Sequence, residues 1–120
     1  MPLNKAFVVQ SAAPVNILDA GAWVPSGALT ASTVIKASPG VLGGVVVTAS
    51  DDGGDIDVIV WDSATATSTN KEQLARVTIT AQTAKAQESI GTLGLGGIVA
   101  SEGLWLQVAA GDCSVIVYYK

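Results

Sequence analysis

From residue 31 onward, short runs rich in Val, Ile and Thr recur along the chain, and each is closed by Gly, Asp, Pro or Ser. Runs of this length, spaced roughly every 8–12 residues with turn signals between them, are the pattern of a β-sandwich or β-barrel. The residue choice agrees. Leu, Glu, Lys and Arg are sparse while Val, Thr, Ala, Gly and Ser dominate, which favours pleated strands over helices. The chain therefore reads as all-β, and its 120 residues suit one domain with one hydrophobic core.

Strands are expected over residues 33–37, 41–49, 56–61, 74–83, 104–109 and 113–119, with a further short one at 5–10. Gly43 and Gly44 inside the second of these suggest a bulge or bend. Asp51-Asp52-Gly53-Gly54 stands between VVVTAS and DIDVIVWD, and its tolerance of positive φ predicts a β-hairpin joining those strands. SATATSTN (63–70) and the polar residues 84–89 read as connections, and turns are expected at 101–103 and 111–112. Residues 1–30 carry Pro14, Pro25, Gly21 and Gly27 among isolated apolar residues, and read as an N-terminal arm or irregular first strands ahead of a sandwich body over 31–120.

The composition is 49% hydrophobic and only 13% charged, about half the charge common in a soluble domain, as expected of a surface partly covered by partners. Six basic residues scattered along a chain of net charge −4 form no cluster for phosphates, so no nucleic-acid partner is expected. No apolar run is long enough to span a membrane, the first residues lack a signal-peptide pattern, and synthesis in the cytoplasm is expected. Cys113 is the single cysteine and reads as an inert buried thiol.

Catalytic chemistry finds no foothold. There is no histidine, which removes Ser-His-Asp and Cys-His catalysis and every His-containing zinc site. Asp51, Asp55 and Asp62 match three positions of a calcium loop, but Ile56 stands where that loop needs glycine and the last position lacks its Glu. The acidic cluster Asp51, Asp52, Asp55, Asp57 and Asp62 reads instead as a solvated hairpin tip with its flanks. GTLGLGGIVA (91–100) has neither GxGxxG spacing nor a following Gly-Lys-Ser/Thr, and reads as a turn or a close backbone approach. No catalytic residue, no metal ligand and no cofactor is expected.

Two runs are apolar on both faces where a sandwich strand needs one: Ile56, Val58 and Val60 alternate with Ile59 and Trp61, and Val115 and Val117 alternate with Ile116 and Tyr118. Leu104, Leu106 and Val108 form one face of a third, with Trp105 on the other. These second faces either pack under loops of the same chain, or Ile59, Trp61, Trp105 and Tyr118 build a subunit interface, where aromatic residues are enriched. Trp23, with Trp61 or Trp105, is the alternative candidate, a platform on which a sugar ring stacks.

VIKASPGVLGGVVV (34–47), VIVWDSATA (58–66) and the ending GLWLQVAAGDCSVIVYYK (103–120) resemble a recurrent group of small virion accessory proteins of tailed bacteriophages. The resemblance runs from about residue 30 to residue 120 and leaves the N-terminal arm outside it. It implies a jelly-roll-like sandwich of about eight short antiparallel strands. It also implies a place on the virion as a capsid decoration (cement) protein or part of a head fibre or tail, commonly as a homotrimer, with the major capsid protein or another virion protein as partner. A receptor- or glycan-binding fibre module is the alternative function.

Overall fold

The computed structural model describes residues 23–51, 53–80, 83–91 and 97–120. Among these, every regular element is a strand: β1 Val24–Pro25, β2 Thr33–Lys36, β3 Gly40–Ala49, β4 Ile56–Asp62, β5 Glu72–Ile79, β6 Gln87–Gly91, β7 Ile98–Ala100, β8 Leu104–Ala110 and β9 Cys113–Tyr119. All pairings are antiparallel. The strand expected at 5–10 lies outside the described residues.

The strands form two sheets. Sheet one has the order β1-β9-β3-β6, with β7 also on β3, and sheet two has the order β2-β8-β4-β5. Strand β6 pairs with Gly44 to Thr48 of β3 and β7 with Gly40 to Leu42, so the two continue one another along the edge that β9 leaves free. Counted as one line, they complete eight strands whose pairs are nested: β4 with β5, β3 with β6/β7, β2 with β8, β1 with β9. A long antiparallel hairpin rolled over on itself gives this nesting, which is the connectivity of a jelly roll.

The nesting corrects one sequence expectation. Strands β3 and β4 do not form a hairpin; β3 lies in sheet one and β4 in sheet two. Gly53 does take the positive φ that its sequence allows, at 125°, but the turn carries the chain across the sandwich. The reason lies in the side chains. Val45, Val47 and Ala49 of β3 and Ile56, Val58 and Val60 of β4 are all buried in one core. In a hairpin those two sets would share one face of one sheet, whereas in separate sheets they close on each other across the sandwich. Gly111 makes the same kind of crossing between β8 and β9, with φ 88° and a position where a Cβ would fall 2.7 Å from the Asp55 carbonyl.

The core is supplied by alternate residues of the long strands, including Leu42, Leu104, Leu106, Val115 and Val117, all fully buried. Each such side chain contributes about 1.5–3 kcal/mol relative to exposure. Residues 24–29 belong to the same body: Val24 and Pro25 pair with Tyr119 and Tyr118, and Leu29 bridges Val115. Strand β6, within a segment whose composition reads as a polar connection, is an exposed edge, where burial does not select apolar residues.

Candidate interaction surface

With both inner faces spent on the core, interactions fall to the two outer faces, and the register fixes what each presents. On sheet two, Val34, Trp105, Trp61 and Gln73 stand in one row across β2, β8, β4 and β5, and Gln107, Ile59 and Arg76 in the next. Trp61 Nε1 donates to Gln107 Oε1 at 2.9 Å, a diagonal contact between the rows. Arg76 reaches diagonally to Asp57 in the following row of β4, donating Nε to Oδ1 at 2.9 Å and Nη2 to Oδ2 at 2.6 Å. Asp57 holds the guanidinium's pKa above its ordinary value, first through the hydrogen bond and then through its charge.

Away from its β2 edge, where Val34 is 38% exposed, this face is largely closed. Ile59 is 7% exposed and Trp105 8%, and Trp61 is half-buried. Trp105 Nε1 is shielded from solvent and has no hydrogen-bond acceptor within reach among the described residues. A buried donor in that condition costs about 1–3 kcal/mol, so the indole is held there by its apolar packing.

Sheet one is different. Its outer face carries Val41 opposite Val99, then the bulge at Gly43 and Gly44 opposite Tyr118, then Val46 between Ile116 and Ser89. The register of β3 slips between Leu42 and Gly44, as the paired glycines suggest. Trp23 lies on this bulge. A Cβ at Gly43 would fall 2.5–2.8 Å from three consecutive atoms of its six-membered ring, so the ring rests face-down on the glycine, and a Cβ at Gly97 would meet the same ring at 2.8 Å. Lys120 Nζ stands over the ring, 4.5 Å from its centroid. Beside Trp23, a groove of about 260 Å³ runs between the indole and Tyr118, floored by Gly43, Gly44 and Gly91 and lined mainly by apolar atoms. Val99 is 73% exposed and Tyr118 36%.

The structure thus divides the four residues expected to form one interface. Ile59, Trp61 and Trp105 share the outer face of sheet two, while Tyr118 lies on the opposite side of the sandwich beside Trp23. Sequence reasoning missed Val99, which sits within the glycine-rich run read as a turn or a close backbone approach, and did not foresee that the group approaching Gly43 and Gly97 is an indole. Glycines at 43, 44, 91 and 97 were the available signal: Gly44 pairs with Gly91, and Gly43 and Gly97 both meet the Trp23 ring.

The acidic residues separate as well. Asp57 serves Arg76, and Asp62, only 6% exposed, turns to the segment between β7 and β8. Its carboxylate accepts hydrogen bonds from Ser101 N at 3.0 Å, Ser101 Oγ at 2.9 Å, Glu102 N at 2.8 Å and Gly103 N at 3.3 Å. Burial by itself pushes its pKa up; the hydrogen bonds from Glu102, Ser101 and Gly103 together outweigh it and hold the carboxyl below its ordinary 3.8. Asp62 is a clasp between sheet two and the β7–β8 turn. Cys113 is buried, and desolvation first, with the charge of Asp112 second, pushes its thiol up and away from the reactive thiolate.

No family model, curated protein or solved structure matches the chain.

Proposed function

We propose that the protein is a structural module of a tailed-bacteriophage virion, a decoration (cement) protein that attaches to the outer capsid surface and associates with its own copies. The observation that carries this reading is the outer face of sheet one, where exposed Tyr118 walls an apolar, glycine-floored groove and exposed Val99 stands further along the same sheet, opposite Val41. A protein with few charges and an exposed apolar face of this kind is suited to docking on other protein surfaces. The jelly roll is used by viral capsid domains and by lectins alike, so the fold narrows the choice without making it. The resemblance of residues 34–47, 58–66 and 103–120 to virion accessory proteins favours the capsid. No step of chemistry is assigned to any residue.

The test is co-sedimentation of the purified protein with capsid shells that lack it. Binding that saturates and is lost in Tyr118→Glu supports the reading; absence of binding to capsids, tails and fibres removes it.

A second reading, a glycan-binding module, is favoured by the two aromatic walls of the same groove. Trp23 rests one ring face on Gly43 and has the Lys120 ammonium over the ring, which leaves Tyr118 as the ring available for stacking on a sugar. A glycan-array hit abolished by Tyr118→Ala would select this reading over the capsid one.

A further inference from the structure

We infer that the Asp57 end of the outer face of sheet two is a binding site for a neutral saccharide unit, held through its hydroxyls by Arg76, Asp57 and the threonines beside them. The site lies on the opposite side of the sandwich from the Tyr118 groove and does not rest on the virion reading.

Residue size opens the site. Asp57 of β4 stands between Thr78 of β5 and Ala110 of β8, so its neighbours across both pairings are short. Its carboxylate turns instead to Arg76 in the preceding row, which takes both oxygens. Beside Asp57 this leaves an open depression of about 410 Å³, walled by Asp55, Asp57, Arg76, Thr78, Thr80 and Ala110 and lined mainly by polar atoms. That volume lies within the range of small-molecule sites, about 300–1,000 Å³.

The groups that would meet a ligand are held in place before it arrives. The paired hydrogen bonds from Nε and Nη2 fix the guanidinium and the carboxylate against each other, while their side chains stay 49% and 22% exposed. The pair uses only part of its bonding capacity. The Nη1 hydrogens and the second Nη2 hydrogen remain as donors, and each Asp57 oxygen keeps an accepting lone pair. Donors and acceptors thus stand side by side at fixed spacing, which lowers the ordering cost of binding.

Charge selects the ligand. A carboxylate or phosphate in the depression would meet Asp55 and Asp57, and an ammonium would meet the guanidinium. Among the described residues no further acidic, cysteine or histidine side chain joins these carboxylates into a cation cage. An apolar ligand would strand the pair without water. A neutral group that accepts and donates from adjacent positions meets none of these penalties. Neighbouring hydroxyls on a saccharide ring have that property: one accepts from Arg76 Nη1 or Nη2, the next donates to Asp57, and Thr78 and Thr80 can serve a third in either sense.

The experiment is a proton–nitrogen NMR titration of the full chain with a panel of neutral methyl hexosides, with glucuronate, glucosamine and calcium as charged controls. Saturable shifts at the amides of residues 55–57, 76–80 and 110, produced by at least one neutral hexoside and weaker with every charged control, are the expected result. Asp57→Asn and Arg76→Lys are each expected to weaken binding by about tenfold, the first by removing a charged acceptor and the second by removing the planar fork. Both variants are expected to melt with the wild type, because an exposed ion pair adds little to stability. Tyr118→Ala is expected to leave the titration unchanged, which separates this site from the groove of sheet one. Absence of saturable shifts with every neutral hexoside would overturn the inference. So would shifts confined to the Tyr118 groove, tighter binding of any charged control, or full affinity in Asp57→Asn.

Discussion

The outer faces of the two sheets hold comparable apolar residues in opposite conditions. On sheet two, Trp105 and Ile59 are closed off within the described fold, flanked by Trp61, Gln107 and Arg76 in a face bounded by the Arg76–Asp57 pair. On sheet one, Tyr118 stands half in solvent at the wall of a groove that opens over three glycines, and Val99 is exposed further along the sheet opposite Val41. The difference comes from residue size at the strand centres. Sheet two fills its outer face with indoles and long polar chains that cover one another, while sheet one places glycines at the middle of its central strand and leaves a depression there. Aromatic content alone therefore does not mark a docking face; the space beside the aromatic does.

Trp105→Ala breaks this comparison most sharply. Loss of a buried indole is expected to cost about 3–5 kcal/mol, against less than about 1 kcal/mol for Tyr118→Ala on a half-exposed site, read by urea denaturation below the association concentration. Equal costs would mean that the two faces are not differently built.

The Asp62 clasp comes next. Asp62→Asn retains the shape but weakens four hydrogen bonds, and is expected to cost about 2–3 kcal/mol at neutral pH. The sign of its pH dependence follows from the depressed folded pKa. The stabilisation is fully present above 3.8 and is lost as pH falls through the lower folded value. Acid titration of the wild type should therefore show an unfolding slope below that point which the variant lacks, and an identical slope in both would assign the acid sensitivity elsewhere.

The smallest effect sharpens the description of sheet one. Gly43→Ala puts a methyl group into the Trp23 ring and is expected to cost about 1–2 kcal/mol, with iodide quenching of tryptophan fluorescence increasing as the ring lifts. Unchanged quenching would remove the glycine seat from the account.

Much of this fold was legible in the sequence because alternation reports burial directly. The span of β9 is the one its alternation marks, the bulge lies at the glycine pair, and the doubly apolar run of β4 proves to be a strand with neighbours on both sides. Pairing was not legible. Asp51 to Gly54 has the chemistry of a tight turn, but turn chemistry fixes only local φ and ψ, and whether the following strand folds back or crosses over depends on which apolar face must meet which. The polar composition of β6 hid a strand because an edge needs backbone partners and little apolar burial. The candidate surface was half legible: Tyr118 and Trp23 could be named from residue type, but their meeting over Gly43 and Gly44 depends on β1, β3 and β9 being neighbours, a relation between residues about 20 and 75 positions apart.

The most direct test of the claim that sheet one carries the association is a matched pair of substitutions with similar exposure on opposite faces, Tyr118 at 36% and Val34 at 38%. Light scattering of Tyr118→Glu and Val34→Glu at the same concentration should find the first monomeric and the second as associated as the wild type. Loss of association in Val34→Glu with its retention in Tyr118→Glu would place the contact on sheet two and contradict the account.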